Sequence, residues 1–205
     1  MAELVTTGTG EAERIADRAE LRLSWVGRGR DRTVAVDELA ARIKAVEPQF
    51  DRAGVEVRSR RLSVHDTWRG KRRDGAQATQ SYLVRIADVT VLDDLLAGLV
   101  GTEPDVIDGP TWSLADDTGP SREARFAAVA DARAKADGYA EAFGGRIGAL
   151  KQVTDSSQPH IRPMAYAVAM RSHGGPDAAN VADLALEPQQ VTVSAQCTVT
   201  WELDA

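Results

Sequence analysis

His65, Asp66, Thr67 and Trp68 form the most enzyme-like run in the chain. A carboxylate beside an imidazole can orient it as a general base. Neighbouring residues on a strand, however, point to opposite faces, so His65 and Asp66 do not meet, and a strand end entering a loop is the simpler reading. A metal centre would have to gather His65 with His160 or His173 and acids such as Asp155 or Asp177, and that scatter lacks ligand spacing. Ser156 and Ser157 lack the Gly-x-Ser-x-Gly elbow of a serine hydrolase. Cys197 alternates with Val193, Ala195 and Val199, which makes it an inert core thiol. Gly8-Thr9-Gly10 and Gly27-Arg28-Gly29 are too short for phosphate loops and read as turns. The expectation is a protein that is not an enzyme, with no catalytic residues, no metal and no cofactor.

Charge is the feature that stands above background. Between Arg52 and Arg73 there are eight Arg or Lys and two acids, so this segment carries +6 while the rest of the chain carries −12. Arg69, Lys71, Arg72 and Arg73 are the candidate partner-binding residues, on a hairpin tip near 69–77 that would dock onto an acidic protein partner or the acidic face of another subunit. The plainer alternative is a solvated hairpin whose arginines pair within the molecule. With a net charge of −6 over 205 residues, and only Trp68 and Tyr82 flanking the basic residues, nucleic acid is disfavoured.

The elements that position these residues follow from periodicity. Strand patterns cover residues 4–9 and 19–26, the second with Ala19, Leu21, Leu23 and Trp25 on one face. Asp31 or Thr33 caps a helix whose apolar stripe is Val36, Leu39, Ile43, Val46 and Phe50, weakened late by Pro48. Residues 55–65 and 78–87 form a hairpin around a polar loop at 69–77. A short helix at 91–100 carries Leu92, Leu95, Leu96 and Leu99 and stops at Gly101. A strand with Trp112 and a long helix from Ser121 to Phe143 come next, then a strand at 146–153. Residues 154–188 dissolve into Pro, Gly, Ser and Asp, an irregular arm with strand-like content only at 164–170. The clearest signal is last: Val191, Val193, Ala195, Cys197, Val199, Trp201 and Leu203 alternate with polar residues, a strand with one wet face.

The order ββαββαβαββ gives an α+β protein, with mainly antiparallel sheets and helices packed on one side, read as a single domain over 1–205. The alanine-rich run from Ala127 through Ala142 and Phe143, with the exit Gly144-Gly145-Arg146-Ile147-Gly148, resembles the hallmark helix of the SIMPL-domain family. Gly8-Thr9-Gly10, Gly54-Val55 and the 191–203 strand fall in matching order, so the likeness covers about residues 3–203. That family includes bacterial periplasmic and outer-membrane immunogenic proteins and a mammalian kinase-associated signalling protein. The resemblance implies an α+β fold that is frequently oligomeric and carries no catalytic machinery. The sequence departs from the family in having Ala16-Asp17 for Pro-Asp, Pro188-Gln189-Gln190 for a glycine, and a basic segment after Trp68 where aromatics are usual.

Glu3 stands where a secretory signal would be basic, and no stretch is apolar enough to span a membrane, so the expectation is a cytoplasmic protein. The leading functional expectation is a self-assembling interaction or scaffold protein, a homo-oligomer. The alternative is a small-molecule-binding protein or enzyme whose pocket is lidded by 154–188, with His160, Tyr166 and His173 as polar contacts.

Overall fold

A computed structural model describes residues 2–155, 160–163, 184 and 186–204. It is α+β, with two four-stranded antiparallel sheets. The described elements run β1 (Ala2–Ile15), β2 (Arg18–Gly29), α1 (Arg32–Ile43), α2 (Glu47–Phe50), β3 (Val55–Arg69), β4 (Arg72–Ile86), a 3-10 turn, α3 (Leu92–Val100), β5 (Val106–Ser113), α4 (Thr118–Ala142), β6 (Arg146–Asp155), β7 (His160–Pro163) and β8 (Gln190–Asp204). These residues fall into two compact units, one of 2–16, 114–155, 160–163 and 189–204, the other mainly 17–113.

The first unit is built on β8, which pairs with β1 on one side and with β6 and β7 on the other. Its alternation is realised as expected, with Val191, Val193, Ala195, Cys197, Val199 and Trp201 buried. Helix α4 covers this face with Ala124, Ala128, Ala132, Ala136 and Ala140, one methyl per turn. Small residues on β1 let the helix come close. Gly8-Thr9-Gly10 is therefore no turn: it lies inside a 14-residue strand. A Cβ at Gly8 would fall on the Ala128 carbonyl oxygen and 2.5 Å from the Ala132 nitrogen, and one at Gly10 would fall on the Ala124 carbonyl. The buried hydroxyl of Thr6, on the same face, donates to the Ala132 carbonyl at 2.9 Å and accepts from Trp201 Nε1 at 3.1 Å. Its polarity is thus fully matched inside the core.

The second unit holds the sheet order β3-β4-β2-β5. Leu21, Leu23 and Trp25 of β2 point into its core, with Tyr82, Val84 and Ile86 of β4. Gly27-Arg28-Gly29 repeats the glycine device: it is strand, not turn, and a Cβ at Gly27 would meet the Leu39 nitrogen at 2.5 Å. Asp31 caps α1, accepting from the Val34 nitrogen at 3.0 Å. The stripe expected to run on to Phe50 is split. Helix α1 ends at Ile43, and Pro48, which cannot donate in a helix interior, sits in the first turn of the separate α2, where no donor is needed. Val46 and Phe50 still reach the core, while Val36 and Ile43 are only half-buried. Helix α3 buries all four of its predicted leucines. Helix α4 begins at Thr118, ahead of the expected Ser121, after Asp116 accepts from the Thr118 nitrogen at 2.9 Å.

Candidate functional site

The basic segment lies on the β3–β4 hairpin, and its tip differs from expectation. Residues 69–77 do not form a loop. Arg69 pairs with Arg72 in register, leaving a two-residue turn of Gly70 and Lys71, with Gly70 at φ +63°. Arg72 and Arg73 are therefore strand residues. The polar run of basic side chains hid this, because a strand with solvent on both faces loses the alternation that marks one.

The four candidates divide by their partners. Arg69 meets Asp74 at 3.3 Å and Arg73 meets Asp66 at 3.1 Å. Asp66 also takes both nitrogens of the Arg32 fork at 3.1 Å. Lys71 and Arg72 have no acid within 4 Å among the described residues, and Trp68 beside them is 63% exposed. The tip is thus an exposed aromatic with two uncommitted cations. Further down the hairpin Arg58 and Arg60 are tied in, whereas Arg61 has no ion pair among the described residues. Arg58 pairs with Glu56 at 2.7 Å, and Arg60 pairs with Glu47 at 2.7 Å. Tyr82 donates to the same Glu47 at 3.0 Å, and the Arg60 guanidinium lies 5.8 Å from its ring centre. Burial first, then the Glu47 hydrogen bond and charge, push the Tyr82 phenol up to about 12.

His65 faces Gln77 across the ladder, and Asp66 is occupied by arginines. His160 opens β7, opposite Ser194 of β8. Tyr166 and His173, like the strand-like stretch at 164–170, lie outside the described residues. Cys197 is buried on the apolar face of β8.

A second polar surface escaped the sequence reading. On the face of the β3-β4-β2-β5 sheet away from its core, Arg22, Ser24, Ser59, Arg61, Ser81 and Leu83 surround a cavity of about 430 Å³. Its only trace in the sequence is alternation: Arg22 and Ser24 are the residues between Leu21, Leu23 and Trp25, and Ser81 and Leu83 flank Tyr82.

The family model described as SIMPL, a protein of unknown function (DUF541), matches residues 4–201. The chain belongs to the SIMPL family. In this SIMPL chain Ala128, Ala132, Ala136 and Ala140 of the hallmark run lie in the buried stripe of α4, its other alanines are exposed, and the glycine exit has a structural cause. Gly144 leaves the helix at φ +74°, and a Cβ at Gly148 would press on Asp204 and Glu202 of β8. No curated protein matches the chain. Among the described residues no helix is long and apolar enough to cross a membrane.

Proposed function

We propose that this SIMPL chain works without catalysis, as an interaction module that assembles with further copies of itself and meets an acidic surface through the β3–β4 hairpin. The observation that carries this reading is the position of the basic tip on a strand that is the edge of its sheet among the described residues. Strand β3 is the outermost strand of its sheet, and the unpaired groups on such an edge are a template for another chain. Its exposed Leu62 and Trp68 add apolar contact, and Lys71 and Arg72 add uncommitted charge at the turn. The acidic remainder of the chain supplies a complementary surface on a second copy.

The test replaces Arg69, Lys71, Arg72 and Arg73 together with Glu and follows solution mass by light scattering at low and high salt. The wild type is expected well above its 22.0 kDa chain mass and the variant close to it, with salt acting in the same direction as the substitutions. A wild type at chain mass under both conditions overturns self-assembly. A multimer indifferent to the four substitutions moves the contact away from the hairpin.

A further inference from the structure

The open face of the second unit's sheet carries a grid fixed by strand register. Arg22 on β2 lies between Asp108 on β5 and Leu83 on β4, and Leu83 is followed by Ser59 on β3. One side-chain repeat along, Ser24 lies between Val106 and Ser81, and Ser81 is followed by Arg61. Two strand spacings of about 4.8 Å and one repeat of about 6.8 Å separate the two arginine Cα atoms by about 12 Å. Both long side chains can therefore reach over the Leu83–Ser81 centre from opposite corners.

The charges here are arranged unlike those in the adjoining row. There Glu20 and Arg85 satisfy each other at 3.0 Å. Arg22 and Arg61 have no ion pair or side-chain hydrogen bond among the described residues, and neither do the hydroxyls of Ser24, Ser59 and Ser81. The hollow they share, about 430 Å³, is in the range that holds a small molecule.

We infer that this hollow binds a small oxyanion, the carboxylate or phosphate group of a low-molecular-weight metabolite, between Arg22 and Arg61. Guanidinium forks match a pair of oxygens on either group and give charge-assisted bonds to it. The three serines supply rotatable hydroxyl donors on the floor. Leu83 and Val106 offer apolar contact for a short carbon portion. Asp108, opposite Arg22 on β5, is the one acid among the described residues lining the hollow.

Calorimetric titration of the full chain at low ionic strength, with inorganic phosphate, succinate and citrate as separate probes, tests this. At least one probe is expected to bind saturably, one per chain. Arg22→Gln with Arg61→Gln should weaken it about tenfold or more, the loss of charge-assisted bonds. Ser81→Asp, which sets a carboxylate at the centre of the grid, should abolish it. Arg133→Gln, a charge removal on α4, should bind as the wild type does. Phosphate and the two carboxylates answer separately which oxyanion is preferred. Absence of saturable binding by all three overturns the inference, and so does equal weakening by Arg133→Gln. Retention of poly-glutamate without response to the small probes also overturns it, assigning the face to a macromolecule.

Discussion

Tyr82 joins burial, hydrogen bonding and charge on one side chain. It is 3% exposed, its ring meets Trp25 edge-on at 5.6 Å, and its hydroxyl is held by Glu47. A phenol with a folded value of about 12 against an ordinary 10 binds its proton more tightly in the native state. Its contribution to stability is complete below pH 10 and drains away between pH 10 and 12, so stability falls with rising pH across that window. An ultraviolet titration should therefore show one tyrosine ionising late. Tyr82→Phe should remove that late step and cost about 1 kcal/mol for the lost hydrogen bond. Tyrosines that all ionise together at the ordinary phenol value would refute the assignment. At this scale the sequence was partly legible. Adjacent positions on a strand were enough to separate His65 from Asp66, but the closing of Arg32 and Arg73 on Asp66 was not readable, since the first of these contacts spans 34 residues of chain. Arg22 and Arg61 were hidden for the same reason, because they come together only through β4 lying between their strands.

Regular elements were legible where burial is one-sided. The alternation of β8 and the leucine stripe of α3 carry their own periods, and both formed as read. Glycine pairs misled, because Gly-x-Gly has the composition of a turn whether or not the chain bends there. What distinguishes Gly8 and Gly10 lies more than a hundred residues away, in the alanine repeated every fourth position along α4. Helix and strand approach until backbone nearly touches backbone, so the small residues on the two sides require each other. Gly8→Ala or Gly10→Ala must push the helix off the strand, an expected cost of about 3 kcal/mol or more. Gly138, also on α4, meets nothing within 4 Å of an added Cβ, and Gly138→Ala should stabilise by about 0.5 to 1 kcal/mol through helix propensity. Denaturant melts of the three variants give the comparison. A Gly8→Ala protein as stable as the wild type would mean that the helix does not pack in this register.

At the scale of the whole molecule, the two units solve one packing problem twice. Each has a four-stranded antiparallel sheet and a strand with paired glycines under a helix, at Gly8 and Gly10 against α4 and at Gly27 and Gly29 against α1. They differ in how the chain closes them. The first unit brings β1 against β8 across almost the full length of the sequence, from Ala2 opposite Leu203 to Ile15 opposite Gln190, and must bear the loop-closure entropy of that separation. The second draws its four strands and three helices from one continuous stretch. Its ends are tied to each other, because the Asp17 nitrogen donates to the Ser113 carbonyl at 3.3 Å. A contiguous segment with adjacent ends and its own core has the anatomy of an independently folding module. The segment 17–113 expressed alone is therefore expected to melt cooperatively, with Trp25 fluorescence reporting a buried indole. A truncation that removes β8 should leave that melt in place while abolishing the packing of α4 on its sheet. A fragment that unfolds without a cooperative transition would show that the second core depends on residues outside 17–113.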